Sequence, residues 1–359
     1  MTQSNFFKDL KVIELSSVLA GPLVGTFFAE MGAKVLKIEN SLTHGDVTRT
    51  WKAKNELETS EYSSYYASAN YGKKVVFANL MDEETLRNFY DSIKNTDVLI
   101  LNFKYGDAEK FNVDYETLKK INPKLIYGCI SGFGEESERV AYDAILQAET
   151  GFMSMNGATD AASTKMPVAL IDVLASHQLK EGILVALLKR QSSGKGSKVH
   201  VSLYDSAIAS LVNQASNWLM NGNIAQKLGS AHPNIAPYGD VFTTLDNKEI
   251  LFAIGSDKHF EILCDILEIS DINKNDKFVT NQHRVSNRKE LLEILQLAIK
   301  SWKRDDLYFE LIHKKIPVGI INNMQEVFEQ ENAQKLLLRE TVNGVESIRP
   351  KTAVFTIED

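Results

Sequence analysis

The first half of the chain alternates short apolar stretches with longer segments of helical periodicity. Apolar runs predict strands at residues 11–15, 34–39, 75–80, 97–103, 125–130 and 198–203. The intervening periodicity predicts helices at residues 23–31, from 82 onward, 115–121 and 173–191. Such alternation is typical of a mostly parallel sheet covered by helices. The sequence therefore predicts an α/β fold.

The pattern changes near residue 213. A polar stretch, GSAHPNIAPYGD, leads to two short predicted strands and then to helices through residue 301. This change predicts a smaller α+β domain over residues 215–315. The large domain is predicted to span residues 1–205 and to be completed by about residues 320–359.

Composition narrows the function classes. The 359 residues are 44% hydrophobic and 24% charged, which is ordinary for a globular protein. The net charge of −7 argues against broad nucleic-acid binding, which needs a basic surface. Cys129 and Cys264 show no metal-ligand spacing, and no apolar run approaches membrane-spanning length. Because the polar start also lacks a signal-peptide pattern, we expect a cytoplasmic protein without a membrane partner.

Asp172 stands at the end of the apolar segment PVALIDV, directly before the predicted helix 173–191. Two interpretations fit this position. Asp172 is either the helix N-cap, which accepts backbone N–H bonds and is favoured by the helix dipole, or a poorly hydrated nucleophile held by the same donors. The local sequence leaves both open.

The opening strand–helix–strand unit invites comparison with dinucleotide-binding folds, since Glu39 ends the second strand where a ribose-binding acid stands. The connecting loop SSVLAGPLVG cannot supply the G-x-G-x-x-G fingerprint. NAD is therefore not expected. A P-loop and zinc-type histidine spacings are also absent from the sequence, so no metal site is predicted.

Basic residues recur near the strand–helix junctions, where ligands of parallel sheets bind. Each is either a solvated surface charge or part of a group that holds a phosphate-bearing ligand. The six are Lys37, Arg49, Lys73, Lys74, Lys104 and Lys110. Phe103 either stacks on an adenine or belongs to the core, and His232 either lines a site or forms a structural turn.

Ten stretches of the chain, in order, resemble the family III CoA-transferases, the group that includes formyl-CoA transferase, carnitine CoA-transferase and α-methylacyl-CoA racemase. The resemblance runs from about residue 10 to residue 355. The stretches are LKVIELSSVLAGP, GAKVLKIE, GDVTR, DVLILNFKYG, INPKLIYGCISGFG, YDAILQAETGFMS, PVALIDV, GKGSKVHVSLYDS, GSAHPNIAPY and RVSNRKEL.

The resemblance implies a Rossmann-like large domain that binds CoA, a smaller α+β domain and a homodimer of two interlocked chains. It places Asp172 on the family's catalytic aspartate and so favours the nucleophile. Positions that match family contacts to CoA are Val18, Leu19, Ala20, Asn102, Phe103 and Lys110.

Four further residues are predicted to meet the substrate. In Tyr142-Asp143, the aspartate either forms a cap or loop bond or, if it lies next to an active carboxylate, binds substrate. Gly132 and Gly134, in SGFG, either let the backbone approach the acyl group or are ordinary turn glycines.

The implied reaction moves CoA from an acyl-CoA to a free carboxylic acid through an aspartyl-CoA thioester, with CoA as substrate and no permanently bound cofactor. Two alternatives are an acyl-CoA racemase, which transfers an α-proton, and a CoA-binding scaffold. The racemases have a His-Asp pair where this chain has Tyr142-Asp143, and a tyrosine is a poor proton shuttle. Leu19 and Asn40 replace a glutamine and an arginine of formyl-CoA transferase, which argues against formate and oxalate as the substrate pair.

Overall fold

The computed structural model describes residues 5–342 and 344–358. Its contacts divide the chain into two compact units. The first unit is built from Met1–Phe152, Lys165–Ile224 and Gln334–Asp359. The second unit is built from Met153–Thr164 and Ala225–Ala333. Within the described ranges, no helix combines the length and the apolarity that a bilayer crossing demands.

A six-stranded parallel sheet forms the centre of the first unit. Its strands are β1 (Lys11–Glu14), β2 (Lys34–Asn40), β3 (Lys74–Ala78), β4 (Val98–Leu101), β5 (Ile126–Ser131) and β6 (Ser197–Ser202). They lie in the order β3-β2-β1-β4-β5-β6. This is the Rossmann order, whose direction of winding reverses between β1 and β4. The predicted α/β fold with a parallel sheet is confirmed.

Helices cover both faces of this sheet. The helices of this part of the chain are α1 (Ala20–Glu30), α2 (Ser64–Ala69), α3 (Glu83–Ile93), α4 (Asp107–Lys110), α5 (Tyr115–Ile121), α6 (Asp143–Glu149), α7 (Phe152–Met155, where the first unit passes into the second), α8 (Leu170–Ser193), α9 (Leu203–Ala209) and α10 (Val212–Asn221). Short 3-10 helices lie at Ser41–Thr43 and Val47–Thr50. Helices α1 and α8 bury Phe28 and Leu179 on one face, and α3 and α5 bury Ile93 and Leu118 on the other.

Two helices begin earlier than the sequence pattern predicts. Helix α1 starts at Ala20 rather than residue 23, because Pro22 fits the first turn, where its missing N–H is not needed. Helix α8 starts at Leu170 rather than residue 173. Asp172 therefore lies inside the first turn of α8.

The second unit has a small antiparallel sheet with helices packed against it. The strands are β7 (Tyr238–Thr243), β8 (Glu249–Ala253) and β9 (Val318–Ile320), in that order. The helices are α11 (Asp257–Ile266), α12 (Asn281–Ser286), α13 (Arg288–Ile299), α14 (Arg304–His313), α15 (Met324–Glu329) and α16 (Glu331–Gln334), with a 3-10 helix at Ile272–Lys274. Its core centres on Phe242, Phe252 and Phe260. This arrangement is the predicted smaller α+β fold.

The polar loop before β7 is held by arginines of α12 and α13. Arg284 donates to the carbonyl oxygens of Ala236 and Phe278, and Arg288 donates to both carboxylate oxygens of Asp240. His232 accepts from the N–H of Asn234, and its own N–H donates to the carbonyl of Tyr238. These bonds favour the structural turn for His232.

The chain end returns to the first unit as an antiparallel ribbon, β10 (Leu337–Val342) and β11 (Val345–Pro350). Glu30 at the end of α1 anchors the residues that follow. Its carboxylate accepts from Arg349 at 2.6 Å and from the N–H groups of Thr352 and Ala353 at 2.9 to 3.0 Å.

Candidate active site

Two cavities of the first unit open at the carboxyl ends of the parallel strands, where the fold places its ligands. The main cleft has a volume of about 600 Å³ and the side cavity about 390 Å³. Ser17 and Phe103 line both. Ten of the eleven predicted site residues line the main cleft: Val18, Leu19, Ala20, Asn102, Phe103, Gly132, Gly134, Tyr142, Asp143 and Asp172. The eleventh, Lys110, lines the side cavity instead.

Asp172 reaches the main cleft from the first turn of α8. The N-cap of this helix is Ala169, so the N-cap interpretation of Asp172 is wrong. Its side chain is only 8% exposed, and its carboxyl accepts no hydrogen bond from any described residue. Burial, with a further contribution from the negative charge of Asp143, raises the pKa of Asp172 to about 7. The carboxyl is thus poorly solvated and unpaired, as a carboxylate nucleophile requires.

Asp143, and not Asp172, caps the first turn of α8, which is one of the two roles that the sequence left open for Asp143. Its Oδ1 accepts from the N–H of Ile171 at 2.7 Å, and its Oδ2 accepts from Gln147 at 2.7 Å. Gln147 in turn accepts from the N–H of Met166 at 2.7 Å. Helix α6 therefore fixes the segment that leads into α8. Both oxygens of Asp143 are engaged within the protein, which favours a positioning role over direct substrate binding.

The three other residues that were predicted to meet the substrate are Tyr142, Gly132 and Gly134. Tyr142 is 58% exposed and precedes α6. Gly134 has a φ of 113°, which an L side chain rarely adopts. At Gly132 a Cβ would overlap the side chain of Ala141. Both glycines are therefore required by the local chain path, which favours ordinary turn glycines.

The loop between β1 and α1 also lines the main cleft. Leu19 is the N-cap of α1 and provides no side-chain cap, and the first turn carries no acidic residue. Within the described ranges, the N–H groups of Leu19 and Ala20 donate to no acceptor. Two free backbone donors thus lie at the positive end of a helix dipole, on the cleft that holds Asp172.

Aromatic and basic side chains line part of the side cavity. The rings of Phe103 and Phe111 meet edge to face at 5.6 Å. The ammonium of Lys110 lies 5.6 Å from the centre of the Phe111 ring and is exposed. The side-chain amide of Asn102 is not free to bind a ligand in this cavity, because Ser17 bonds to both of its polar atoms. Asn102 Oδ1 accepts from the N–H of Ser17 at 2.9 Å, and Asn102 Nδ2 donates to the carbonyl of Ser17 at 2.8 Å.

The six basic residues do not converge on one ligand. Three are in ion pairs: Lys37 with Glu14 and Asp46, Lys73 with Glu14, and Arg49 with Glu39. The side chains of Lys37 and Lys73 are fully buried, so neither is the surface charge or the phosphate ligand that the sequence suggested. Glu39 also accepts from Tyr66 and from the N–H of Asp46, which leaves no ribose-binding acid. The exposed three are Lys74, Lys104 and Lys110.

Sequence reasoning missed Tyr65 and Asp46. Burial, together with the carboxylates of Asp172, Asp143 and Asp46, raises the pKa of Tyr65 to about 12. The Tyr65 ring packs edge to face on Trp51 at 5.1 Å. Neither residue stands in a chemical motif, although Asp46 lies inside GDVTR. No cluster of three or more His, Cys, Asp or Glu arranged for a metal occurs among residues 5–342 and 344–358.

Comparison with known proteins identifies the class and then the family. The fold is that of a crystal structure of a CaiB/BaiF family protein from Brucella suis, with a TM-score of 0.86, 35% identity and coverage of 97% of this chain and 91% of that one. Residues 7–356 match CoA-transferase family III, and the chain belongs to that family. It is an enzyme that transfers CoA between acids, which confirms the predicted family and enzyme class.

Two curated relatives are similar over most of their length. A succinate–glutarate CoA-transferase of Agrobacterium fabrum is 37% identical over 337 residues, which cover 92% of this chain and 83% of the relative. An acetyl-CoA:oxalate CoA-transferase of Acetobacter aceti is 33% identical over 340 residues, which cover 93% of this chain and 85% of the relative.

Proposed function

We propose that the enzyme transfers CoA through a covalent aspartyl-CoA thioester on Asp172. The observation that carries this proposal is a buried carboxyl without a hydrogen-bond partner, on a cleft that also presents the free N–H groups of Leu19 and Ala20. Carboxylates are weak nucleophiles in water because hydration stabilises them. Exclusion of water and preorganised donors for the oxyanion make attack on a thioester feasible.

The reaction consists of four acyl transfers. The Asp172 carboxylate attacks the donor carbonyl, the C–S bond breaks, and a mixed anhydride and CoA thiolate result. The thiolate attacks the Asp172 carbonyl, which gives the aspartyl-CoA thioester and releases the donor acid. The acceptor carboxylate attacks this thioester and regenerates an anhydride and the thiolate. The thiolate then attacks the acceptor carbonyl, and Asp172 leaves as a carboxylate.

This sequence consumes no proton, electron or phosphate bond, so it needs no permanently bound cofactor. It does require that the thiolate stay in the cleft between steps. A thiolate held beside its target has the high effective concentration of an intramolecular reactant. Anchoring of the CoA nucleotide is therefore part of the catalytic machinery.

We assign the nucleotide of CoA to the side cavity and its pantetheine arm to the main cleft. Phe103 and Phe111 offer aromatic surface to an adenine, and Lys110 offers a cation to the phosphates. The arm passes Val18, Leu19 and Ala20 and brings the thioester to Asp172. Phe103, shared by the two cavities, marks the junction.

We propose dicarboxylic acids as substrates, with succinyl-CoA as donor and a short dicarboxylate such as glutarate as acceptor. Succinate, glutarate and oxalate, named for the relatives, are all dicarboxylic acids. Lys104 lines the main cleft, is exposed, and offers a cation to a second carboxylate.

We further propose an interlocked homodimer in the cytoplasm. Helix α10 exposes three consecutive large apolar side chains, Trp218 at 54%, Leu219 at 79% and Met220 at 80%. An apolar surface of this kind is typical of an interface with another chain.

The cytoplasmic location is supported by the cysteines. The free thiols of Cys129 and Cys264 suit a reducing compartment.

Trapping tests the covalent intermediate. The enzyme is mixed with succinyl-CoA alone, then with hydroxylamine, and digested for mass spectrometry. Hydroxylamine attacks the Asp172 carbonyl of the aspartyl-CoA thioester, the C–S bond breaks and CoA leaves, so a hydroxamate should remain on Asp172, and Asp172→Asn should carry none. Turnover with glutarate in the same preparation, without any mark on Asp172, would refute the intermediate. A panel of acyl-CoAs and pooled acids identifies the substrates separately.

The pH dependence of kcat/KM should report the ionisation of Asp172. Only the carboxylate attacks, and its pKa is raised to about 7. We therefore expect a plateau above about pH 7 and a fall towards tenfold per pH unit below it. Asp143 and Tyr65 are the titratable groups whose charges couple to this carboxyl. A flat profile between pH 5.5 and 8 would contradict the assignment.

Asp143→Asn should move this acidic limb to lower pH. The change removes the negative charge that helps to raise the pKa of Asp172, while Oδ1 of the amide still accepts from the N–H of Ile171. Asp91→Asn, which removes a surface carboxylate paired with Lys94, serves as the control and should leave the limb in place. An unmoved limb in Asp143→Asn would show that the two carboxyls do not interact.

A further inference from the structure

Residues 16–18, here called the clamped loop, are held at every position by a different element. The carbonyl of Ser16 accepts from the ammonium of Lys37 at 3.1 Å. Ser17 is bonded through both backbone groups to Asn102. The N–H of Val18 donates to both carboxylate oxygens of Asp46, at 3.3 and 3.2 Å. Such complete fixation is unusual for a loop, because most loops are free to move.

The clamped loop is also strained. Val18 has a φ of 69°, in the left-handed region. A β-branched residue is a rare outlier there, because its Cβ crowds the neighbouring carbonyl. Strain of this kind persists only where the surroundings impose it, and it concentrates at functional sites. The bonds of Ser17 to Asn102 and of Val18 to Asp46 hold the backbone in this strained conformation.

Asp46 and Lys37 form the strongest of these constraints. Their ion pair measures 3.0 Å, and Lys37 also bonds Glu14 at 3.1 Å. Burial opposes the charge of Lys37, but Glu14, Asp46 and Glu39 outweigh it and raise its pKa, so it stays an ammonium. Burial likewise opposes the charge of Asp46, and Lys37 with the bonds from Thr48 keeps its pKa low.

Stability alone is a weak reason for such a cluster. Replacement of a buried ion pair by apolar residues of similar volume is often neutral or stabilising. What the ion pair adds is a fixed loop geometry. Lys37 holds the carbonyl of Ser16, and Asp46 holds the N–H of Val18. The loop leads straight into Leu19 and Ala20, whose free N–H groups share the main cleft with Asp172.

We propose that Lys37, Asp46 and Asn102 are positioning residues that hold the clamped loop in the strained shape required for CoA transfer. None of them needs to touch the reacting atoms. They act through Val18, which sets the start of α1 and the donors that meet the oxyanion. This inference rests on the proposed function, since it assigns a task to the loop that faces Asp172.

The decisive variants are Asp46→Asn and the double variant Asp46→Asn with Val18→Gly. Asparagine removes the charge that pairs with Lys37 and weakens the hold on Val18. We expect kcat for succinyl-CoA and glutarate to fall roughly 10- to 100-fold, while KM changes less than threefold. Glycine adopts a φ of 69° without strain. The double variant should therefore recover at least tenfold of the lost kcat.

Glu30→Gln provides a matched control. It removes a carboxylate from another buried ion pair of the same unit, Glu30 with Arg349, which lies outside both cavities. It should lower the thermal midpoint but leave kcat within twofold. Rescue by Val18→Gly also separates positioning from a chemical role, because glycine at position 18 cannot replace a lost carboxylate.

Amide hydrogen exchange measures the local opening of the clamped loop without any need for catalysis. Residues 16–20 should exchange faster in Asp46→Asn than in the wild type, and no faster in Glu30→Gln. The proposal is overturned if exchange there is unchanged, if kcat falls no further than in Glu30→Gln, or if glycine restores nothing. Failure of the aspartyl intermediate would show itself separately, as missing hydroxamate on Asp172.

Discussion

Asp172→Asn is expected to lower CoA transfer by at least about 10³-fold while CoA binding is kept. The amide oxygen cannot attack a thioester, and loss of a nucleophile removes the reaction path rather than part of its rate. CoA binding should persist because its assigned contacts lie in the loop at Val18 and in the side cavity, not on Asp172. Mass spectrometry of the product acyl-CoA checks the loss of transfer, and calorimetric titration with CoA checks that binding is kept.

The matched control for this substitution is Asp91→Asn, the same chemical change on the surface, which should transfer CoA at the wild-type rate. Transfer by Asp172→Asn at more than a few per cent of the wild-type rate would rule out Asp172 as the nucleophile. Loss of both transfer and CoA binding would point instead to a structural defect, which a thermal unfolding curve identifies.

The same variant should be more stable than the wild type at pH 8. The folded pKa of Asp172, about 7, lies above the ordinary value of 3.8, so between these values the folded protein holds a proton that the unfolded chain has lost. Stability therefore falls as pH rises from about 4 to 7, by up to about 4 kcal/mol. Asparagine removes this loss of stability. The free energy of unfolding of Asp172→Asn, measured with denaturant, should therefore exceed that of the wild type by a large amount at pH 8 and by a small amount at pH 4.5.

The sheet was predictable because its strands satisfy a local rule. The four residues of β4, Val98–Leu101, are all buried, and a short apolar run of this kind predicts a central parallel strand. The location of the cleft followed from the strand ends, with the residues assigned by family resemblance. The sheet agrees with the structure, and ten of the eleven assigned residues line the main cleft, while their roles stay predictions.

Tertiary contacts explain what the sequence could not show. The cap of α8 comes from Asp143, 28 residues before the N–H that it accepts from, so Asp172 resembled a local cap. Lys37 resembled a surface or ligand charge, because its partner Asp46 becomes a neighbour only after β2 and the following turn have formed. Val18 gives no sign of its positive φ, since a valine in an apolar loop predicts extended backbone.

Arg284→Met is expected to destabilise the second unit by about 3 to 5 kcal/mol. The guanidinium is fully buried and donates to the carbonyls of Ala236 and Phe278, and its third contact is Asp257 at 2.6 Å. Methionine keeps much of the apolar volume but leaves two buried carbonyls without donors, each of which costs about 1 to 3 kcal/mol. Denaturant unfolding of the full chain measures the loss.

The control for that loss is Lys277→Met, which removes a similar charge from an exposed pair with Glu290 in the same unit. Exposed pairs contribute about 1 kcal/mol or less, so this variant should stay close to the wild type. A cost for Arg284→Met no larger than for Lys277→Met would contradict the assigned role. The larger cost would show that the polar loop requires a buried donor, which α12 supplies to the carbonyl of Ala236 from nearly 50 residues away.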